Sequence, residues 1–276
     1  MIPKKIHYCW FGGNPLPELA NKCIASWKKY LPDYEIIQWD ESNYSAIEKC
    51  QYVKEAYQAG KWAFVSDYAR FDILYHQGGV YFDTDVELIK SIDDILEQGA
   101  FSGTEKAYSL TDASVDGLMV NTGLGLAAEK GMPLLGTVLE HYHQRSFYTK
   151  DGDIDTTTVV RIISNILREF PMEPRQDGVI HIHGLNVYPR DYFAPLDYET
   201  GELHITDNTR SIHHYLATWK DPKVEKWHGV CQKTIRIYGK EEGARIVNSL
   251  PFRLCGTLYM YGFLGTLNRR IKKKTR

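Results

Sequence analysis

One short stretch of the chain decides its fold: Gly78-Gly79-Val80-Tyr81-Phe82-Asp83-Thr84-Asp85. The glycine pair is typical of the end of a helix, and residues 62–77 before it have a helical pattern. The apolar run that follows is short, which indicates a buried central strand. Open α/β sheets bind their ligands at the carboxyl ends of such strands. We therefore expect a binding site at Asp83 and Asp85, directly after this strand.

The segments on either side favour an open α/β sheet. Apolar residues alternate at 6–10, and residues 34–39 also read as a strand. Between them, residues 15–31 carry apolar side chains at helical spacing, so the opening has βαβ character. Further helices are predicted at residues 45–58, 62–77 and 156–170, and short strands and loops at residues 179–216.

Composition excludes several classes of protein. The chain has 276 residues and a formal net charge of −2, so no global field points to nucleic acid. Its five cysteines are odd in number and lack C-x-x-C spacing, which argues against a disulfide framework or a zinc site. Scattered thiols and an opening segment without a long apolar stretch predict a cytoplasmic protein.

Two carboxylates at positions i and i+2 after a buried strand need a nearby cation. On an extended segment they would face the same side, roughly 7 Å apart, and repel each other. A divalent cation such as Mg²⁺ or Mn²⁺ would relieve this, and it would also neutralise a diphosphate leaving group. The alternative is a solvated acidic turn. Asp67 and Arg70 share one face of the preceding helix, where a structural ion pair is the simpler interpretation.

Three segments together resemble a known group, the DXD-containing sugar transferases related to the yeast initiating α-mannosyltransferase. They are IPKKIHYCWFGG at 2–13, AFVSDYAR at 63–70 and GGVYFDTD at 78–85. Bacterial capsule and lipopolysaccharide transferases belong to this group, and the glucosyltransferase domains of large clostridial toxins are similar. The resemblance implies a GT-A-type fold with an open, mostly parallel sheet and flanking helices. It also implies a nucleotide-sugar donor, a divalent metal and retention of anomeric configuration.

The resemblance also implies roles for individual residues. Asp67 and Arg70 would hold the donor sugar and its phosphate, because a planar guanidinium binds oxygens in pairs. Asp85 would bind Mn²⁺ or Mg²⁺ directly, and Asp83 would contact the metal or the ribose. Trp10 would stack on the donor base, although by itself it is typical of a core tryptophan. Further donor contacts are implied for Ser66, Tyr81, Thr84 and Asn121.

A downstream segment, Ser211–Trp219, resembles the C-terminal motif that completes the metal site of these transferases. The resemblance implies His214 as a further metal ligand, since imidazole suits Mn²⁺. It implies that Trp219 donates its indole N–H to the donor phosphate or to the glycosidic oxygen. Toxin relatives carry a carboxylate and a hydroxyl at His214 and Ala217, which leaves the third ligand open. A surface turn is the alternative for two adjacent histidines.

The predicted function is hexose transfer to a glycan or lipid-linked glycan acceptor in capsule or lipopolysaccharide synthesis. A UDP-sugar is the predicted donor, and GDP-mannose stays open. An Asp-x-Asp phosphatase is a weaker alternative, because Glu87 stands where that class usually has Thr or Val. A non-catalytic carbohydrate-binding module is also weaker, since it has little use for paired carboxylates beside an Asp/Arg pair.

The end of the chain has a different composition. Residues 254–267 carry no charge, and six of the last eight residues are basic. Such a segment is too short to span a bilayer, but it suits the surface of an anionic membrane. We therefore predict a transferase domain at 1–250 and a tail at 251–276 that holds the protein peripherally on the inner membrane face. A packed C-terminal helix is the alternative.

Overall fold

The computed structural model describes residues 1–105, 118–216 and 221–274. Of Pro222 and residues 263–274, only the backbone is described. The chain forms two compact units. The first consists of Met1–Pro195 with His204–His214, and the second of Leu196–Leu203 with Tyr215–Arg276.

The first unit contains most of the predicted elements. Its strands are β1 (Lys5–Cys9), β2 (Glu35–Trp39), β3 (Gly79–Tyr81), β4 (Val86–Leu88), β5 (Phe101–Thr104), β6 (Val120–Ala128), β7 (Met172–Pro174), β8 (Ile180–Ile182), β9 (Leu185–Tyr188) and β10 (Ser211–His213). Its helices are α1 (Glu18–Tyr30), α2 (Gln51–Gln58), α3 (Trp62–Gln77), α4 (Asp93–Leu96), α5 (Pro133–His143), α6 (Val159–Leu167) and α7 (Arg190–Phe193), with a 3-10 turn at Ala46–Glu48. The strands and helices predicted around the acidic pair are therefore confirmed. The helix predicted at 45–58 is divided into the 3-10 turn and α2.

The main sheet is mixed, with the strand order β2-β1-β3-β6-β5-β9-β8-β7. Strands β2, β1 and β3 run parallel, as the βαβ opening predicts. Strand β6 is antiparallel to both β3 and β5, so these two share one direction and end at the same edge of the sheet. The α/β class with an open sheet and flanking helices is confirmed. The acidic pair follows β3, which lies inside the sheet.

Strand β3 packs between two hydrophobic clusters. Tyr81 belongs to the cluster that also contains side chains of α3 and α5, and Val80 and Phe82 to the one that contains side chains of α1. This alternation is that of a central strand and confirms the predicted burial. The chain enters β3 through Gly79, which has φ of 111° and where a Cβ would lie 2.8 Å from the Lys5 carbonyl oxygen. Only glycine fits such a position.

The second unit is mainly helical. Its helices are α8 (Pro222–Tyr238), α9 (Lys240–Asn248) and α10 (Leu250–Lys274), the last interrupted at Gly262. Every helix in the described part of the chain is too short or too polar to cross a membrane. The predicted boundary at residue 250 falls at the start of α10. The division into a transferase domain and a tail stays a prediction.

Candidate active site

The acidic pair lies in a tight turn between β3 and β4. The Asp83 amide donates to the Gly123 carbonyl at 3.0 Å, and the Val86 amide donates to the Asp83 carbonyl at 3.1 Å. The segment is therefore folded back, whereas the predicted spacing of the two carboxylates assumed an extended segment. Asp85 is buried, with 8% of its surface exposed, whereas Asp83 is half-buried.

A histidine from the far end of the first unit completes this turn. Strand β10 pairs antiparallel with β4, which sets His213 opposite Val86. The Nε2 atom of His213 lies 3.2 Å from Asp85 Oδ1. One ligand atom each from Asp83, Asp85 and His213 lies within 4.8 Å of the others. Two carboxylates and an imidazole suit Mn²⁺.

The histidine at the acidic pair is His213, and the sequence analysis predicted His214 for that place. Consecutive residues of an extended segment point to opposite faces, so only one of the two can face Asp85. The His214 ring is instead hydrogen-bonded to Glu87 Oε2 at 2.8 Å. Trp219, the other residue predicted from this motif, lies outside the described residues.

The charge state of His213 follows from its surroundings. Burial disfavours its charged form, but the neighbouring carboxylates, Asp85 first, raise the pKa of His213 above its ordinary value. Without a metal the ring is therefore biased towards a charged partner of Asp85. A cation bound here would displace that proton, because metals bind the neutral imidazole.

Arg70 connects the α3 helix to the acidic pair. Its Nη2 atom lies 2.7 Å from Asp67 Oδ1 and 3.3 Å from Asp83 Oδ1. The Arg70 side chain is 3% exposed, and its guanidinium carbon stacks 4.8 Å from the centre of the Tyr81 ring. Asp67 and Arg70 lie on one helical face, as their spacing predicts, and the structure brings that face to the acidic pair.

Burial and charge compete at this ion pair. Burial raises the pKa of Asp67 to about 7, against the opposing effect of Arg70. Burial also disfavours the charged guanidinium, but the carboxylates of Asp83 and Asp67 raise the pKa of Arg70 above its ordinary value. Arg70 therefore stays charged.

The other predicted donor residues differ in their hydrogen-bond partners. Tyr81 donates its hydroxyl to Asp83 Oδ1 at 3.2 Å, and Thr84 lies in the turn itself. Trp10 directly follows β1, so it lies at the same edge of the sheet as the acidic pair; its indole N–H donates to the Asn14 carbonyl at 2.6 Å. Ser66 donates its hydroxyl to the Trp62 carbonyl within α3 at 3.1 Å.

Asn121 lies at the site together with Glu105, which the sequence analysis missed. The Asn121 amide donates to Glu105 Oε1 at 2.6 Å and accepts from the Gly123 amide at 2.7 Å. A Cβ on Gly123 would overlap Asp83 Oδ2, so strand β6, which contains Gly123, approaches the acidic pair as closely as glycine allows. Glu105 follows β5 as Asp83 follows β3, and that position after a strand was the available signal.

Comparison with known proteins supports the resemblance. Residues 17–102 match the family described as "Glycosyltransferase sugar-binding region containing DXD motif". Inositol phosphoceramide mannosyltransferase 1 of Schizosaccharomyces pombe is 32% identical over 108 residues, 36% of this chain and 33% of that protein. Inositol phosphoceramide mannosyltransferase 3 of the same yeast is 30% identical over 106 residues, 36% of this chain and 29% of that protein. The chain thus spans about a third of the length of these curated relatives.

Among solved structures, the PaToxG glycosyltransferase is similar, with a TM-score of 0.43 and 18% identity over 61% of this chain and 69% of that one. The family match over residues 17–102 includes the α3 helix, β3 and the acidic pair. It confirms the predicted resemblance to DXD-containing sugar transferases, and the sheet described above is of the open α/β class that this resemblance implies.

Proposed function

We propose that this chain is a metal-dependent, retaining glycosyltransferase that moves a hexose from a nucleotide-diphosphate sugar to a glycan acceptor. The observation that carries the proposal is the ligand cluster of Asp83, Asp85 and His213 with the buried Arg70 beside it. Carboxylates next to a buried guanidinium suit a ligand that brings phosphate oxygens together with a cation. The family match to a DXD sugar-binding region supports the same reading.

The residues of the site divide the work between them. Asp83, Asp85 and His213 would hold Mn²⁺ or Mg²⁺, which when bound neutralises charge on a diphosphate leaving group. Arg70 would bind phosphate oxygens, and Asp67 would accept a hydrogen bond from a hydroxyl of the donor sugar. Further donor contacts are proposed for Trp10 against the base and for Ser66, Tyr81, Thr84, Asn121 and Trp219.

The reaction would follow a front-face path. The glycosidic C–O bond breaks, and the diphosphate leaves with the bonding electron pair. The acceptor hydroxyl attacks the same face of the sugar carbon, and its proton passes to a leaving phosphate oxygen. Arg70 contributes by staying charged throughout, so that negative charge developing on the phosphate is stabilised at no cost of reorganisation.

We propose a UDP-sugar as the donor, and GDP-mannose is the second candidate because both curated relatives are named as mannosyltransferases. A donor-hydrolysis screen of the purified chain with Mn²⁺ separates the two. We expect release of the nucleotide from a UDP-sugar, or from GDP-mannose in the second case, and its loss when the metal is chelated. Turnover of simple phosphate esters, with none of any nucleotide sugar, would instead indicate a phosphatase. Sugar binding that needs neither metal nor nucleotide would indicate a carbohydrate-binding module.

The proposed setting is capsule or lipopolysaccharide synthesis at the cytoplasmic membrane face, on lipid-linked glycans. The second unit exposes several large apolar side chains: Ile237 (64%), Tyr238 (58%), Leu250 (68%) and Tyr259 (48%). Exposed apolar side chains near a basic run suit an interface with anionic lipid.

Replacing Lys272 and Lys273 by Gln should weaken binding of the full chain to phosphatidylglycerol vesicles by about tenfold or more, because each basic residue near the surface contributes about 1 kcal/mol. Sedimentation with the vesicles measures this. The double variant Lys28→Gln with Lys29→Gln, at the end of α1, is the matched control and should bind like the wild type. Equal binding by all three proteins, or equal binding to phosphatidylcholine, would remove the membrane from the proposal.

A further inference from the structure

Glu87 connects two parts of the first unit next to the acidic pair. Its Oε2 atom accepts from Lys22 Nζ of α1 at 2.9 Å and is hydrogen-bonded to the His214 ring at 2.8 Å. The Glu87 and His214 side chains are 18% and 24% exposed, so both are largely shielded from water. This set of three residues is called the Glu87 clamp below.

The two strands at the site are fixed to different degrees. One edge of β4 is bonded to α1: the Trp27 indole donates to the Val86 carbonyl at 2.7 Å, and the Leu88 amide donates to Ser26 Oγ at 2.9 Å. Strand β10 pairs with the other edge of β4 over three residue pairs, and the His214 amide also donates to the Asp85 carbonyl at 2.9 Å. An isolated two-stranded pairing is marginally stable. The position of β10, and with it of His213, therefore depends on side-chain contacts as well as on these few backbone hydrogen bonds.

We propose that the Glu87 clamp is the device that holds His213 against Asp85, so that Lys22, Glu87 and His214 are positioning residues for the metal site. Through Glu87 on β4, the clamp connects Lys22 of α1 to His214, the residue directly after His213. A metal ligand must be held to within about 0.5 Å of its working position, which a short unbraced strand does not provide. The inference rests on the metal site of the proposed function.

Mn²⁺ binding tests the clamp without any knowledge of the sugar. The free Mn²⁺ signal in electron paramagnetic resonance is followed while each protein is titrated with Mn²⁺ in the presence of UDP and, separately, of GDP. His214→Ala and Glu87→Gln should each lower the apparent Mn²⁺ affinity by about tenfold, the effect typical of removing a partner around a metal site. His214→Gln should restore most of it, because its amide can still donate to Glu87. At saturating Mn²⁺, His214→Ala and Glu87→Gln should turn over the donor found in the screen at the wild-type rate.

The control is His76→Ala, which removes a 64% exposed histidine that contacts Asp72 and should bind Mn²⁺ like the wild type. If Asp85→Asn loses Mn²⁺ but His214→Ala and Glu87→Gln do not, the clamp is wrong and the proposed function stands. If His214→Ala loses Mn²⁺ as completely as His213→Ala, and His214→Gln does not restore it, His214 is a ligand and the clamp is again wrong. If the wild type binds no Mn²⁺ with either UDP or GDP, the metal site and the clamp fall together.

Discussion

Asp85→Asn should lower metal-dependent turnover of the nucleotide-sugar donor by at least about 10²-fold while the fold survives. A bound cation contributes several kcal/mol to the stabilisation of developing charge, and about 1.4 kcal/mol is a factor of ten in rate. The Asn side chain has the shape of Asp and keeps an oxygen that can accept from His213, so the turn between β3 and β4 should remain. The measurement is donor hydrolysis by each protein across a range of Mn²⁺ concentrations.

Mn²⁺ and UDP together should raise the melting temperature of the wild type, because a ligand that binds only the folded state stabilises it. This increase should disappear in Asp85→Asn, which lacks a metal ligand. Asp177→Asn is the control, because Asp177 is 44% exposed and contacts the Arg175 guanidinium and the Val179 amide within its own turn. It should keep both the activity and the melting shift. Full activity in Asp85→Asn would remove Asp85 from the reaction and leave the acidic pair as a structural turn.

The parts of the site that could be predicted are those encoded by neighbouring residues. The helix at 62–77, its glycine end, the buried strand and the acidic pair follow one another within a single segment. Each carries a local pattern: helical spacing, a left-handed glycine, an apolar run and paired charges. Asp67 and Arg70 followed from the same helix, because three residues separate neighbours on one helical face.

The position of His213 could not be predicted from such local patterns. Strand β10 has three residues, too few to reveal which side chains face inward, and its partner β4 is more than a hundred residues earlier in the chain. A shift of one residue exchanges the two faces of a strand. The choice between His213 and His214 therefore depends on long-range pairing that neither histidine reveals by itself.

Glu105 and strand β6 were hidden for a related reason. Strand β6 is buried along its whole length and reads Val-Asn-Thr-Gly-Leu-Gly-Leu-Ala-Ala, so it lacks the alternation that marks an antiparallel strand with one wet face. Its antiparallel position between β3 and β5 brings Asn121 to Glu105 at the edge that carries the acidic pair. That contact can be predicted only once the sheet order is known.

Arg70→Met should reduce donor turnover by roughly 10²–10³-fold, the usual effect of removing a group that stabilises developing charge. It should also destabilise the first unit, by up to about 3 to 5 kcal/mol at a pH where Asp67 is ionised and keeps a buried charge without its partner. Chemical denaturation measures the second effect. The control Arg175→Met breaks a pair whose side chains are 43% and 44% exposed, and such surface pairs contribute about 0 to 1 kcal/mol.

The destabilisation of Arg70→Met should also depend on pH. The pKa of Asp67 is raised by burial to about 7, and Arg70 opposes that rise, so the variant should have a still higher value. A carboxyl whose folded pKa lies above its unfolded pKa binds more protons when folded, so stability falls as pH rises between the two values. The gap in unfolding free energy between variant and wild type should therefore be larger at about pH 8 than at about pH 6. A gap that is the same at both values would mean that Asp67 does not depend on Arg70 for its charge.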